Sequence, residues 1–309
     1  MLLLYTSQIL KIRSFLILWF LGSNVVVSQN KQLEISISND KLVLQDKYYT
    51  NGLHITYRKG LERSILFKKG KDETLQTNIQ IGNETYTPSN LFSFNTNDFD
   101  RPYAGWMFGS VELAKIKLNS AVFLEIETGI TGGPSLAGKL QNAFHDLLNI
   151  EKPTWQDEIA FKWLFNVKAK KVFNFRLSQH FNIQNLTSAS LGSKDTYLQN
   201  NVLLFFGKFN DFQNSYRIQA VGATNKSEFF GFFGGGYRYV ILNTLIQGSP
   251  FKDRDPFTSI AESHVFNMVA GTALRTKHHV FKLEFNYNSR ETPLSTSHVY
   301  GMLVFGFSF

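Results

Sequence analysis

The strongest constraint in this chain is a period-2 alternation, repeated in segments of about ten residues, whose apolar face is rich in aromatics and whose other face is polar. In residues 121–130, "AVFLEIETGI", Val122, Leu124, Ile126, Thr128 and Ile130 share one face while Glu125 and Glu127 share the other. Residues 159–168, "IAFKWLFNVK", set Ile159, Phe161, Trp163, Phe165 and Val167 against Lys162, Asn166 and Lys168. In "KVFNFRLSQHFNI", Phe173, Phe175, Leu177, Phe181 and Ile183 oppose Asn174, Arg176, Ser178, His180 and Asn182. The pattern returns at Phe281, Leu283, Phe285 and Tyr287, and again from Val299 to the terminal Phe309. In a soluble sandwich the apolar face would be the core. A chain with 30 Phe, 12 Tyr and 4 Trp that keeps charges on the opposite faces instead suits a transmembrane β-barrel, with lipid outside and water inside.

Counting these segments predicts strands near 31–40, 49–60, 73–82, 104–118, 120–130, 157–169, 171–184, 195–209, 228–243, 262–275, 278–289 and 297–309. A weaker candidate at 215–223 is assigned to a connection, because single-chain bacterial barrels take even strand numbers. The expected fold is all-β: a twelve-stranded antiparallel transmembrane β-barrel in one domain, residues 29–309, with no linker dividing it.

Residues 1–28 read as a secretory signal peptide: Lys11 and Arg13, the apolar run "SFLILWFLG", then small residues before a cut after Ser28. The run is too short to span a bilayer as a helix. Cleavage would remove two positive charges and no acid, lowering the formal charge from +8 to +6. A basic exported chain suits membrane phosphates, and neither an aromatic-rich RNA signature nor a basic helix speaks for nucleic acid. With no cysteine there are neither disulfides nor thiolate metal sites.

One segment breaks the alternation. In residues 133–150, "GPSLAGKLQNAFHDLLNI", apolar residues recur at helical spacings, Pro134 and Ser135 mark a start, and Pro153 bars continuation. Gln141 and His145, four apart, are neighbours on one helix face. If the N-terminus is periplasmic, strand parity places this helix on the outer side with loops 41–48 and 83–103, and turns near 117–121 and Lys170 on the inner side. The 61–72 connection is longer than an inner turn needs, and the sequence does not say why.

Parity therefore gathers Asn39, Asp40, Thr50, Gln141, His145 and Glu151 at one rim. Their oxygens suit Ca²⁺ better than zinc, and a histidine beside such an ion can act as a general base toward water. The same residues also have ordinary uses: Asn-Asp before a loop and Thr-Asn-Gly opening a strand are common turn devices. Residue chemistry alone leaves both readings open. Glu125, Glu127, His54 and His180 fit a wet lumen. No Gly-x-Ser-x-Gly elbow is present, and the glycines of "GFFGGGYRYV" lack the Lys-Ser/Thr of a phosphate loop.

The ordered set "SISND", "YYTNG", "DRPYAGW", "GITGGPSLAGKLQNAFHDLL" and "EKPTWQDEI" resembles the lipid A 3′-O-deacylase family of outer-membrane barrels, most densely over residues 31–169. The resemblance implies a calcium-dependent carboxylic ester hydrolase, with a site between the wall and a loop helix, that removes the 3′-linked acyloxyacyl chain from lipid A of lipopolysaccharide in the outer leaflet. It also implies His145 as the base, Asp40 as a calcium ligand with Thr50 and Glu151 in the metal set, and Asn39, Thr50 and Gln141 in the catalytic set. Trp155 and Arg101 match family positions that strand anchoring would also explain. One departure stands out: "TPSNLFSFNTNDFD" carries no basic residue before Arg101, where better-known members carry lysine and arginine as candidate contacts for lipid phosphate or the ester oxygen. The chain is expected to act as a monomer. A non-enzymatic porin or adhesin and an outer-membrane phospholipase are the alternatives.

Overall fold

The computed structural model describes residues 30–222, 226–249 and 255–309. The signal segment lies outside the described residues. Twelve antiparallel strands close into a barrel in which each pairs with its sequence neighbours and the first pairs with the last. They are β1 (Lys31–Asn39), β2 (Tyr48–Leu61), β3 (Thr74–Thr87), β4 (Ala104–Ile116), β5 (Ser120–Ile130), β6 (Trp163–Arg176), β7 (Phe181–Gly192), β8 (Asp195–Lys208), β9 (Glu228–Asn243), β10 (His264–Arg275), β11 (His279–Asn288) and β12 (His298–Ser308). Closure is made by pairs such as Leu33 with Phe307 and Asn39 with Gly301. Among the described residues no helix is long and apolar enough to cross a membrane. Any crossing is made by the strands, whose closed ladder leaves no unpaired backbone edge.

Alternation sets the two faces as expected. In β1, Gln32, Glu34, Ser36 and Ser38 are buried toward the lumen, while Ile37 on the other face is exposed. In β6, Trp163, Phe165, Val167, Phe173 and Phe175 are all exposed. Lumenal charges pair across strands: Lys168 Nζ lies 2.6 Å from Glu127 Oε2, and His54 Nε2 lies 3.4 Å from Glu84 Oε1.

Several boundaries differ from the sequence reading, the seventh strand's among them, since it runs from Phe181 to Gly192 and not over 171–184. The turn expected at Lys170 lies inside β6, and the chain reverses at 177–180 instead, where His180 is exposed rather than lumenal. Lys168 and Lys170 point inward to acids while Lys171 packs over the Phe173 ring. The real four-residue turn preserves the alternation phase, so periodicity could not reveal it. The sixth strand also begins at Trp163 rather than 157, because its neighbour β5 ends at Ile130, the partner of Trp163. β3 runs on to Thr87, past the expected end at 82.

The connection between β8 and β9, source of the weak thirteenth candidate, folds into the barrel as two 3-10 turns, Phe212–Asn214 and Tyr216–Ile218. Tyr216 donates its hydroxyl to Glu34 Oε2 at 2.9 Å, and Arg58 NH1 meets the same oxygen at 2.9 Å. Val221 N donates to Gln76 Oε1, and Arg275 donates to the carbonyls of Asn214, Ala220 and Gly222. The 62–73 connection lies at this same end, where Glu73 pairs with Lys115 and Gln213 donates to the Asp72 carbonyl. A cavity of about 510 Å³ remains in the lumen above this plug, lined by Lys168, Lys194, Arg238 and Glu284 among others.

Candidate active site

At the opposite end the long β5–β6 connection carries helix α1, Ala137–Leu148, entered through a 3-10 turn at Gly133–Ser135. The expected helix at 133–150 is thus present and slightly shorter. It lies against the outside of the wall. Asn83, on the outward face of β3, donates to the Ser135 carbonyl at 2.6 Å. Outward-facing Gly105 of β4 lies so close to Ser135 and Ala137 that a Cβ there would sit 2.1 Å from Ser135 Oγ. Gly138 in turn admits the Trp155 ring, which a Cβ would meet at 2.8 Å. The indole of Trp155 packs at a tilt against Tyr103, with centroids 5.1 Å apart, and donates its N–H to Gln141 Oε1 at 3.0 Å.

The α1 residues facing the wall are Ala137, Gln141 and His145, all fully buried. Opposite them, the 40–47 connection wraps around Asp40. Asn39 Oδ1 caps its 3-10 turn by accepting from Lys41 N at 2.7 Å, Lys47 N donates to Asp40 Oδ2 at 2.6 Å, and Gln45 N donates to the Asp40 carbonyl. A β-bulge between Tyr49 and Asn51 gives β2 one extra residue, Thr50. Strand parity would send Thr50 inward. The bulge instead turns it outward, where it hydrogen-bonds Thr87 Oγ1 at 2.8 Å beneath the helix.

His145 is held in one tautomer. Its Nδ1 lies 2.5 Å from the Glu151 carbonyl, an oxygen that can only accept, so Nδ1 carries a proton and in the neutral imidazole the lone pair is on Nε2. Nε2 faces Asp46 Oδ2 at 3.8 Å, too far for a direct hydrogen bond. Asp46 also pairs with Lys41 at 2.6 Å. Burial pushes the Asp40 carboxyl up to about 8, partly offset by the Lys47 amide and reinforced by the nearby Asp46.

Asp46 therefore links the two sides of the site: it faces His145, which lies one turn from Gln141 on α1, and its charge acts on Asp40, while Thr50 holds to Thr87 on the outward side of the wall. Asn39 spends its side-chain oxygen on shaping the loop that holds Asp40. Glu151 reaches His145 through its main-chain carbonyl and is itself exposed. Arg101 is an anchor, bound to Glu291 at 3.0 Å and stacked over Tyr86. Sequence reasoning missed Asp46 and Asn142. Asp46 had one visible signal, since it and Asp40 are the only acids in the 40–47 connection.

Among the described residues, no group of three or more His, Asp or Glu side chains could by itself hold a metal ion. The donors left without partners are mixed: Asp40 Oδ1, Gln45 Oε1, Asp46 Oδ1 and Asn142 Oδ1 are all buried and unbonded. Buried oxygens normally find partners. A few carboxylate oxygens supplemented by neutral amide oxygens form a hard donor set of the kind Ca²⁺ accepts, so the residues present fit that ion.

Fold and cleft together define an outer-membrane-type barrel with an acid–histidine site on the outside of its wall. A family model described as "Outer membrane protein LpxR" matches residues 14–309, and the chain belongs to that family, the lipid A 3′-O-deacylase family that its ordered motifs resemble. Among solved structures it is similar to LpxR from Salmonella typhimurium, with 19% identity, a TM-score of 0.74, and coverage of 90% of this chain and 100% of that one. At that identity the likeness concerns the fold. The β-domain of the Bordetella autotransporter BrkA matches with 10% identity and a TM-score of 0.49, covering 90% of this chain and 98% of that one. The translocator domain of NalP from Neisseria meningitidis matches with 10% identity and a TM-score of 0.43, over 98% and 96% of the two chains. No curated protein matches the sequence.

Proposed function

We propose that this outer-membrane protein hydrolyses the ester that attaches the 3′-linked acyloxyacyl chain to lipid A, in the cleft between α1 and the wall. The α1 end then faces the outer leaflet, where lipid A resides. The observation that carries this reading is the His145 hydrogen bond to the Glu151 carbonyl, which leaves Nε2 uncommitted beside buried carboxylates with unbonded oxygens.

In this mechanism Nε2 takes a proton from water as the water oxygen attacks the ester carbonyl. The Glu151 carbonyl holds the imidazolium that forms, and His145 then returns the proton to the departing sugar oxygen, releasing a free acid and a 3′ hydroxyl. Gln141, fixed by Trp155, lines the helix side of the cleft, and Asn39 keeps Asp40 in place. Asp40 is the ligand that would hold calcium, with Thr50 and Glu151 assigned to the same set by the family resemblance and Asp46 added by its position. Calcium bound there would stabilise negative charge on the ester oxygen.

A conducting porin is disfavoured by the inward-folded 209–222 connection, which fills the far end of the lumen with buried Phe212, Tyr216 and Ile218. The purified chain incubated with lipopolysaccharide should release the acyloxyacyl acid, stop when calcium is chelated, and resume when calcium returns. Hydrolysis indifferent to chelation would remove the metal from the mechanism, and acid release only from added phospholipid would change the substrate.

A further inference from the structure

The helix that roofs the cleft has three faces. At 100° per residue, Ala137, Gln141 and His145 point to the wall. Lys139 and Asp146, both exposed, lie on the opposite side, where Asp146 pairs with Lys152 at 2.8 Å. Between these two, on one flank, Leu140, Phe144 and Leu147 are 45%, 38% and 67% exposed. A loop helix bathed in water would not keep its largest apolar residues on an open flank, since exposing them forfeits their burial energy.

The wall beneath supplies the reason. On β6 the outward positions from Trp163 to Phe175 are apolar except Lys171, which packs over the Phe173 ring, and span about 30 Å along the barrel axis at about 3.3 Å per residue and a tilt of about 40°, enough for the apolar band of about 25 Å that such barrels present. On β3 the open outward positions are Thr77, Ile79 and Ile81, only about 10 Å of band. Above them Asn83, Thr85 and Thr87 turn polar, and α1 lies over them. A helix about 10 Å across placed there brings the apolar surface on this side to about 20 Å. The apolar flank of α1 thus continues the lipid-facing band where the strand itself stops supplying it.

We propose that α1 is an interfacial helix seated in the bilayer, with Leu140, Phe144 and Leu147 among acyl chains and Lys139 and Asp146 in water, so that lipid enters the cleft sideways from the membrane plane. The seat depends on the outer-membrane barrel and not on the deacylase reading, so the two can fail separately.

The chain has no cysteine, which makes single-cysteine labelling clean. Full-length protein carrying one bimane label at position 139, 140, 144, 146 or 147 would be refolded into phosphatidylcholine vesicles containing dibrominated acyl chains. Barrel folding is checked by heat-modifiable gel migration. Labels at 140, 144 and 147 should be quenched several-fold more by brominated chains than labels at 139 and 146, with aqueous iodide giving the reverse order. Iodide reaching 140, 144 and 147 as readily as 139 and 146 would overturn the proposal, as would neither quencher reaching them. A label-free check is the double variant Phe144→Glu, Leu147→Glu, which leaves the Lys139–Leu140 bond unaltered: it should keep the barrel's migration yet be cleaved by trypsin at Lys139 several-fold faster in vesicles, and an unchanged cleavage rate would count against the seat.

Discussion

At the end of the barrel away from α1, the β8–β9 connection turns into the lumen and its buried charges are matched: Glu34 meets both Arg58 and Tyr216, and Glu228 meets Arg275. At the α1 end the loops turn outward over the wall and set Asp40 and Asp46 near each other, with buried oxygens left unbonded. Both regions bury polar groups and both leave some unbonded, Gln32 Oε1, Arg58 Nε and Asn182 Nδ2 at the plug end among them. What differs is that the plug end pairs each of these carboxylates with a cation or hydroxyl, whereas Asp40 and Asp46 each keep a buried oxygen unbonded. A carboxylate matched to a cation stabilises the fold, whereas a buried carboxylate oxygen without a partner marks a place where a cation can supply one.

This contrast separates two kinds of variant. The largest effect is expected at His145→Ala, where ester hydrolysis should fall by about 10²–10⁴ while urea unfolding of the barrel in lipid stays near wild type. A fall in stability that accounts for the lost turnover would erase the distinction. Arg58→Ala should do the opposite, since stripping one partner from a buried pair costs about 3–5 kcal/mol. It should lower the denaturant midpoint and leave calcium binding to the folded fraction unchanged.

Next in size is Asp46→Asn, which keeps the shape of the loop and removes the charge facing His145. Calcium affinity, read by calorimetry, should weaken about 10–100-fold. Unaltered affinity would leave Asp46 as a mere partner of Lys41. The smallest effect belongs to Trp155→Phe, which deletes one hydrogen bond to Gln141, worth about 0.5–1.5 kcal/mol, and should slow turnover by roughly that equivalent.

The wall was readable in the sequence because lipid and lumen impose opposite chemistry on alternate residues. β6 and β12 announce themselves in this way. Legibility failed where something other than lipid covers the outside. β3 is expected to end at 82, yet it runs on through Asn83, Thr85 and Thr87, outward polar residues on the side of the wall that α1 and its entry turn cover in place of lipid. The outward turn of Thr50 was hidden too, since only Tyr48 and Tyr49 of β2 precede the bulge, too few residues to show the change of phase.

The site was legible in its parts and less so in its joints. Parity alone brought Asp40 and His145 to one rim, and four-residue spacing placed Gln141 beside the histidine. That Glu151 acts on His145 through its carbonyl, and that Asp46 rather than a more distant acid faces Nε2, depends on how the 40–47 and 149–162 segments fold. Main-chain contacts of this kind carry no residue-type signature.

The most direct measurement is mass spectrometry of lipid A from cells making either the wild-type chain or His145→Ala, with both barrels confirmed folded in the outer membrane. Wild-type cells should lose the mass of the 3′-linked acyloxyacyl unit and the variant's should keep it. Identical lipid A from the wild type, the variant and cells lacking the protein would contradict the assignment of deacylation to this cleft.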